Sequence, residues 1–107
     1  MDNGATWIQV NASAGWSARK EHSSVTLSDG SIVLMGGYDG STVKNDVWRS
    51  TDNGATWTQQ TASAEWTGRN GHSSVVMPDG SILLIGGNYG NSGTNDVWRS
   101  TDNGAIW

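Results

Sequence analysis

The sequence contains no cysteine, which excludes a disulfide framework and a thiolate metal site. Phenylalanine is absent as well, and proline occurs only at Pro78. The six basic residues are scattered along a chain of net charge −4, which argues against nucleic acid and against an anionic membrane as partners. No apolar run approaches the roughly 18 residues of a membrane helix, and the first residues do not read as a signal peptide. No cofactor is expected, and the compartment stays open.

What the sequence does contain is a repeat with a period of 50 residues. Residues 2–51 and 52–101 are identical at 31 of 50 positions without a gap, and residues 102–107 begin a third copy. Periods of this length are typical of solenoids, propellers and arrays, whose units cannot bury their apolar faces alone. The repeat therefore predicts assembly more firmly than it predicts any chemistry.

The pattern inside each unit predicts short antiparallel strands joined by Gly, Asn and Asp turns. Ile32–Met35 is apolar on both faces, as expected of a strand that is covered from both sides. We expect a long loop over 38–45, with the same arrangement repeated in the second unit. The predicted strands are residues 22–27, 32–35, 46–51, 56–60, 75–77, 82–85 and 96–98.

The order of motifs within each unit resembles a kelch repeat, whose units of about 50 residues form four-stranded propeller blades. There is one departure, because kelch repeats usually carry Tyr where Ser50 and Ser100 stand. The matching residues in the two units are Arg19, His22, Gly36-Gly37, Asp46-Val47-Trp48 and Trp57, then Arg69, His72, Gly86-Gly87, Asp96-Val97-Trp98 and Trp107.

The segment from residue 50 to residue 57 resembles an Asp-box, the S-x-D-x-G-x-x-W hairpin of sialidases and other propellers, and residues 100–107 repeat it. We expect the Asp to accept hydrogen bonds from its own turn and the Gly to take a left-handed conformation. The Trp should fold back onto the blade. The resemblance implies a structural role, with a calcium or sugar site as the alternative, for Ser50, Asp52, Gly54, Trp57, Ser100, Asp102, Gly104 and Trp107.

These observations predict an all-β fold, a β-propeller of four-stranded antiparallel blades with two blades in residues 1–107. Two blades cannot surround an axis, so we expect a cyclic homo-oligomer, with six blades as a trimer favoured and eight as a tetramer next. The N-terminal strand, residues 5–10, is expected to complete a blade of a neighbouring chain. Trp7 and Trp107 are equivalent positions, and the sequence leaves open which copy occupies the outer slot. The register fits a recently amplified or an engineered repeat.

Candidate ligand-binding residues lie on the face that carries the long loops. A rigid scaffold with variable loops is typical of binding sites, and aromatic and guanidinium groups could stack on a glycan or a peptide. The alternatives are that the tryptophans pack as core and that the arginines brace neighbouring blades. His22 and His72 could line the channel around a metal, although a hydrogen bond to backbone is the simpler interpretation, and no metal site is expected. The candidates are Trp16, Arg19, Tyr38, Trp66, Arg69 and Tyr89.

The sequence leaves two hypotheses for the function. One is a non-enzymatic, self-assembling scaffold for structure or protein interaction, and the other is a glycan-binding lectin with repeated sites. An enzyme is not expected. The chain lacks the Cys-linked Tyr of galactose oxidase, a kelch relative, and the Arg triad with Tyr of sialidases. It also has no nucleophile elbow, and fold alone does not carry function.

Overall fold

Residues 3–107 are described by a computed structural model, and they form two antiparallel β-sheets. The predicted all-β fold of blade-like sheets is confirmed. Asp2, the acidic residue of the first repeated turn, lies outside the described residues. The strands are β1 (Ser23–Thr26), β2 (Ile32–Met35), β3 (Val47–Ser50), β4 (Thr58–Thr61), β5 (Ser73–Val76), β6 (Ile82–Tyr89) and β7 (Ser92–Ser100).

The first sheet, blade 1, has four strands in the order β1-β2-β3-β4. The second, blade 2, has three strands in the order β5-β6-β7. The inner pairings repeat with the period of the sequence, since Leu34 lies opposite Trp48 and Leu84 lies opposite Trp98. Within residues 3–107, β7 therefore has no counterpart of β4 at its outer edge.

The segment 88–95 of the second unit is not the loop that the repeat predicts. β6 and β7 continue as a ribbon whose pairing runs out to Tyr89 and Ser92 around a two-residue turn. Gly90 takes a φ of 62° in this turn, which suits the first position of a type II′ hairpin. The first unit instead forms a compact loop, because the Asp39 carboxylate accepts hydrogen bonds from the backbone N–H groups of Ser41 and Thr42.

The predicted N-terminal strand over residues 5–10 is not part of any sheet in the described chain. Its repeat equivalent, β4, begins one residue after Trp57 and pairs with β3. Ile8, the counterpart of Thr58, is 86% exposed. That this segment completes a blade of a neighbouring chain stays a prediction.

The core lies between the two sheets. One face of blade 1 contributes Val33, Met35 and Val47, and the opposing face of blade 2 contributes Ile82 and Leu84. In β1–β3 of blade 1, and in β5–β7 of blade 2 where residues 82–85 are paired, partner residues have the same parity, so these strands give each blade an odd face and an even face. The odd face of blade 1 thus packs on the even face of blade 2. No helix within the described range is long and apolar enough to cross a membrane.

Candidate functional site

The odd face is the main feature that differs between the two blades. In blade 1, Met35 and Val47 are fully buried (0% exposed) because blade 2 covers them. Their counterparts in blade 2 are uncovered, with Ile85 38% and Val97 60% exposed. The exposed odd face of blade 2 also includes Val75 and Met77. The same apolar positions therefore form a core in one blade and a surface in the other.

The buried contact between the blades is also held by backbone approach at the Gly-Gly pair. Gly37 donates its N–H to the carbonyl of Arg69 (2.8 Å), and the Nε2 atom of His72 lies 3.1 Å from the carbonyl oxygen of Met35. A Cβ added at Gly36 would lie 2.7 Å from the His72 ring. Glycine at this position is therefore what allows the histidine of the next blade to reach a backbone acceptor.

His72 is neutral in this contact. Burial lowers the pKa of His72 to about 4, and the Arg69 and His22 charges act in the same direction. Because a carbonyl can only accept, Nε2 carries the proton and donates it to Met35. The Nδ1 atom has no partner among the described residues. His22, in the equivalent position of blade 1, is exposed, because none of residues 3–107 forms a preceding blade over it.

Each blade carries a buried arginine that ties the start of the blade to its third strand. Arg69 donates to both carboxylate oxygens of Asp96, at 2.6 and 3.0 Å, and Trp98 donates to the same carboxylate. These hydrogen bonds, with that from Arg69 first, hold the pKa of Asp96 well below its usual range. Arg19 and Asp46 form the matching pair at 2.6 Å. The arginine side chains brace their own blade, not the neighbouring one as the sequence suggested.

The serine-aspartate turn is closed by its own side chains. Gly54 donates its N–H to the Ser50 hydroxyl (2.8 Å), and Thr56 donates its N–H to Asp52 (2.8 Å). The Trp57 indole donates to the carbonyl of Gly54 (3.0 Å). The Thr56 hydroxyl and its N–H, followed by the Ser50 hydroxyl, lower the pKa of Asp52. The second copy makes the same backbone and indole bonds through Ser100, Asp102, Gly104, Ile106 and Trp107.

The second turn also packs against the odd face of blade 1. A Cβ added at Gly104 would lie 2.8 Å from a methyl group of Val47, so the two are in close contact. Gln60 of β4 donates to the carbonyl of Asn103 (3.1 Å). The first turn has no such neighbour in the described chain, and a Cβ at Gly54 would meet only Val10, at 3.8 Å.

The tryptophans proposed as ligand platforms pack within the blades. Trp66 meets Trp107 edge-on with ring centroids 5.9 Å apart, and Trp16 meets Trp57 in the same geometry. Trp66 is 1% exposed. Its ring therefore offers no open face to a ligand in this structure, whereas Trp16 remains half-buried.

The remaining candidates do not all share one pocket, and only Arg19 and Tyr38 among them line the same shallow cleft of those described. The structure brings Trp16 close to Arg19 and Trp66 close to Arg69, with guanidinium carbons about 6 Å from the indole rings. Tyr38 is half-buried and donates its hydroxyl to the carbonyl of a loop glycine. Tyr89 is exposed near the tip of the β6–β7 ribbon. Across residues 3–107 no three His, Asp or Glu side chains are grouped so that they could hold a metal ion.

The sequence interpretation missed the asymmetry that matters most for the site. Comparing two nearly identical units cannot show which copy of an apolar face is covered and which is open. One signal in the sequence could have indicated an exposed apolar face. The odd-numbered strand positions are apolar in both units, at Val25 and Val47 and again at Val75 and Val97.

One comparison with known proteins is informative. A family model described as "DUF6242 beta propeller domain" matches the chain over residues 1–107, which is the full length of the sequence. Among curated proteins, none has a sequence that matches the chain.

Proposed function

The chain belongs to the DUF6242 β-propeller domain family, and on that premise we propose that it acts as a non-enzymatic scaffold that associates with further copies of itself. The observation that carries the proposal is the difference between the odd faces. Val47 is fully buried and its counterpart Val97 is 60% exposed, although the two sit in the same local sequence. An exposed apolar face of this kind marks an interaction surface.

We also assign the two units to the kelch type with Asp-box turns. The support is that two parts of the motif have structural tasks that repeat in both units. The arginine-aspartate pair fixes the blade, and the Asp turn carries a tryptophan back onto its own blade. The Gly-Gly pair of the first unit admits the next blade.

The partner surface that fits the odd face of blade 2 is present on the chain itself. A cleft beside the first turn is lined by Val10, Trp16, Gly54 and Trp57. By the repeat, this cleft corresponds to the place where the second turn receives Val47. Val97 of one copy would therefore enter the cleft of the next copy, as Val47 enters the equivalent site within the chain.

Such a contact is head-to-tail, because two different surfaces of the chain meet. A head-to-tail contact produces a cyclic oligomer when the rotation between successive copies closes a ring, as the radial arrangement of propeller blades favours. We propose a trimer of six blades, with a tetramer of eight blades as the next possibility. Burying a whole apolar side chain is worth about 1.5–3 kcal/mol, and four partly exposed side chains on one face supply a substantial part of an association energy.

The experiment is native mass spectrometry of the chain over a dilution series. We expect a species at a whole multiple of 11.4 kDa. The variant Val97→Asp should shift it to the monomer, because a carboxylate would be buried unpaired at the contact. The matched control Asn91→Asp adds the same charge at the exposed ribbon tip and should leave the oligomer unchanged. A folded wild-type monomer at micromolar concentration would overturn the proposal.

Glycan binding has less support. The two strongest candidates of the second unit, Trp66 and Arg69, are buried at 1% and 0% exposure. The Arg69 guanidinium is engaged with Asp96, and the Trp66 ring packs edge-on against Trp107 while its buried indole N–H has no partner among the described residues. These residues therefore serve the architecture of the blade, which favours the scaffold.

A further inference from the structure

The outer edge of β7 is open in the described chain. In blade 1 the equivalent edge of β3 pairs with β4, where Arg49 lies opposite Thr58 and Trp48 lies opposite Gln59. In blade 2, Val97 to Arg99 have no such partner within residues 3–107. An unpaired strand edge presents a row of backbone donors and acceptors and is a template for another strand.

The segment that matches this edge is residues 8–11. It is the repeat equivalent of β4 and precedes blade 1 as β4 precedes blade 2. It belongs to no sheet of the described chain, and Ile8 and Val10 are exposed. The segment is nevertheless already anchored beside its blade, because the Asn11 amide donates to the carbonyl of Ala55 (2.7 Å).

We propose that residues 8–11 of a second copy add to β7 as the fourth strand of blade 2. The register follows from that of blade 1. Ile8 of the second copy would lie opposite Arg99, Gln9 opposite Trp98, and Asn11 opposite Val97. This strand addition is a known mode of recognition in which backbone hydrogen bonds supply affinity. It rests on the proposed head-to-tail association and identifies the segment that locks it.

In the described chain it is Trp107 that packs in the turn of blade 2. Trp107 packs edge-on against Trp66, its indole donates to Gly104, and its backbone N–H donates to Glu65. β4 starts only after Trp57, so the turn and the outer strand are separate slots. Residues 102–107 can therefore keep the turn while residues 8–11 of another copy take the strand. Trp7 of that copy remains outside both slots.

The test uses cysteine pairs, since the chain has no cysteine of its own. Residues directly opposite in an antiparallel pair have Cβ atoms about 4.5–5.5 Å apart, close enough for a disulfide with a small adjustment. The single variants Ile8→Cys and Arg99→Cys are mixed, oxidised, and separated without reductant. We expect a covalent product of two chains from the mixture, in at least tenfold excess over either variant alone.

The matched control mixes Gln9→Cys, in place of Ile8→Cys, with the same Arg99→Cys variant. The side chain at position 9 would point to the other face of the blade, away from position 99. This mixture should form at most a tenth of the cross-linked product. If native mass spectrometry shows the oligomer but Ile8→Cys and Arg99→Cys do not cross-link, the strand proposal is wrong and the scaffold stands. Equal or preferred cross-linking of Gln9→Cys overturns the register. A monomer in the mass spectrum overturns the scaffold itself.

Discussion

Blade 1 and blade 2 come from repeat units that are identical at 31 of 50 positions, yet the same apolar face is buried in one blade and exposed in the other. The odd face of blade 1 is core, its outer strand is present, and its Gly-Gly pair touches a histidine of the next blade. In blade 2 the same face is surface, the outer strand is missing from the described residues, and Gly86 meets no histidine. Position in the array, not local sequence, decides how each residue is buried.

At the histidine positions the difference is reversed, and blade 2 has the buried residue. His72 is buried against blade 1, while His22 at the same position of the preceding unit is exposed. Within the described residues, each blade is therefore covered by the other blade on one face only. Substitutions at equivalent positions of the two units measure this difference directly, because the local sequence acts as its own control.

The largest effect is expected from truncating the odd face. Met35→Ala should lower the free energy of unfolding by about 2–5 kcal/mol, because it leaves a cavity in a fully buried site. Ile85→Ala, its counterpart, should cost less than about 1 kcal/mol in the isolated chain and should instead weaken association. Urea denaturation at protein concentrations too low for association measures the free energy of unfolding of both variants. Equal losses in the two variants would contradict the assignment of one face as core and the other as surface.

A smaller effect is expected from acidification. His72 has a folded-state pKa of about 4 against 6.5 as its ordinary value, so the unfolded chain binds a proton between these limits that the folded chain does not. Stability should therefore fall as pH drops below about 6.5, by about 2 kcal/mol between pH 7 and pH 5.

The control for this prediction is the same substitution at both histidines. His72→Gln should remove most of the loss between pH 7 and pH 5, measured by urea denaturation of the isolated chain. His22→Gln should remove less, because its ring is not buried against another blade. A pH dependence that follows His22 and not His72 would show that the interface histidine has been misassigned.

A difference of similar size is expected at the turn glycines. Gly104→Ala and Gly54→Ala both put a Cβ at a φ above 90°, so the backbone strain is shared. Only at Gly104 does the new Cβ lie 2.8 Å from Val47. We expect Gly104→Ala to be less stable than Gly54→Ala by about 1–3 kcal/mol in thermal unfolding of the monomer. In the oligomer the difference should shrink, because Val97 of another copy would meet Gly54.

Much of the blade could be predicted from the sequence. The strand at Ile32–Met35 has the predicted bounds, because a short continuous apolar run between nearby glycines defines it locally. The hydrogen bonds of the Asp52 turn follow from the short side chains of Ser and Asp, which reach only groups of the same turn. Local chemistry of this kind needs no knowledge of the rest of the molecule.

What the sequence could not supply depends on contacts between distant residues or on small differences in turn chemistry. The repeat predicted a loop over 88–95, but Gly90 permits a tight hairpin that extends β6 and β7. The burial of Arg69 and Trp66 likewise depends on how the segment before β5 packs, which no local pattern encodes. The arginines were expected to link neighbouring blades. Each instead binds an aspartate 27 residues away in its own blade, a contact that depends on the tertiary fold.

The β6–β7 ribbon has a practical consequence. Each chain carries one such projection, on its second blade, and a compact loop at the matching place on its first. An assembly built from whole chains would therefore carry one projecting β6–β7 ribbon and one compact loop for every chain. Peptides grafted in place of Gly90 and Asn91 would be displayed once per chain, at the exposed tip of the ribbon.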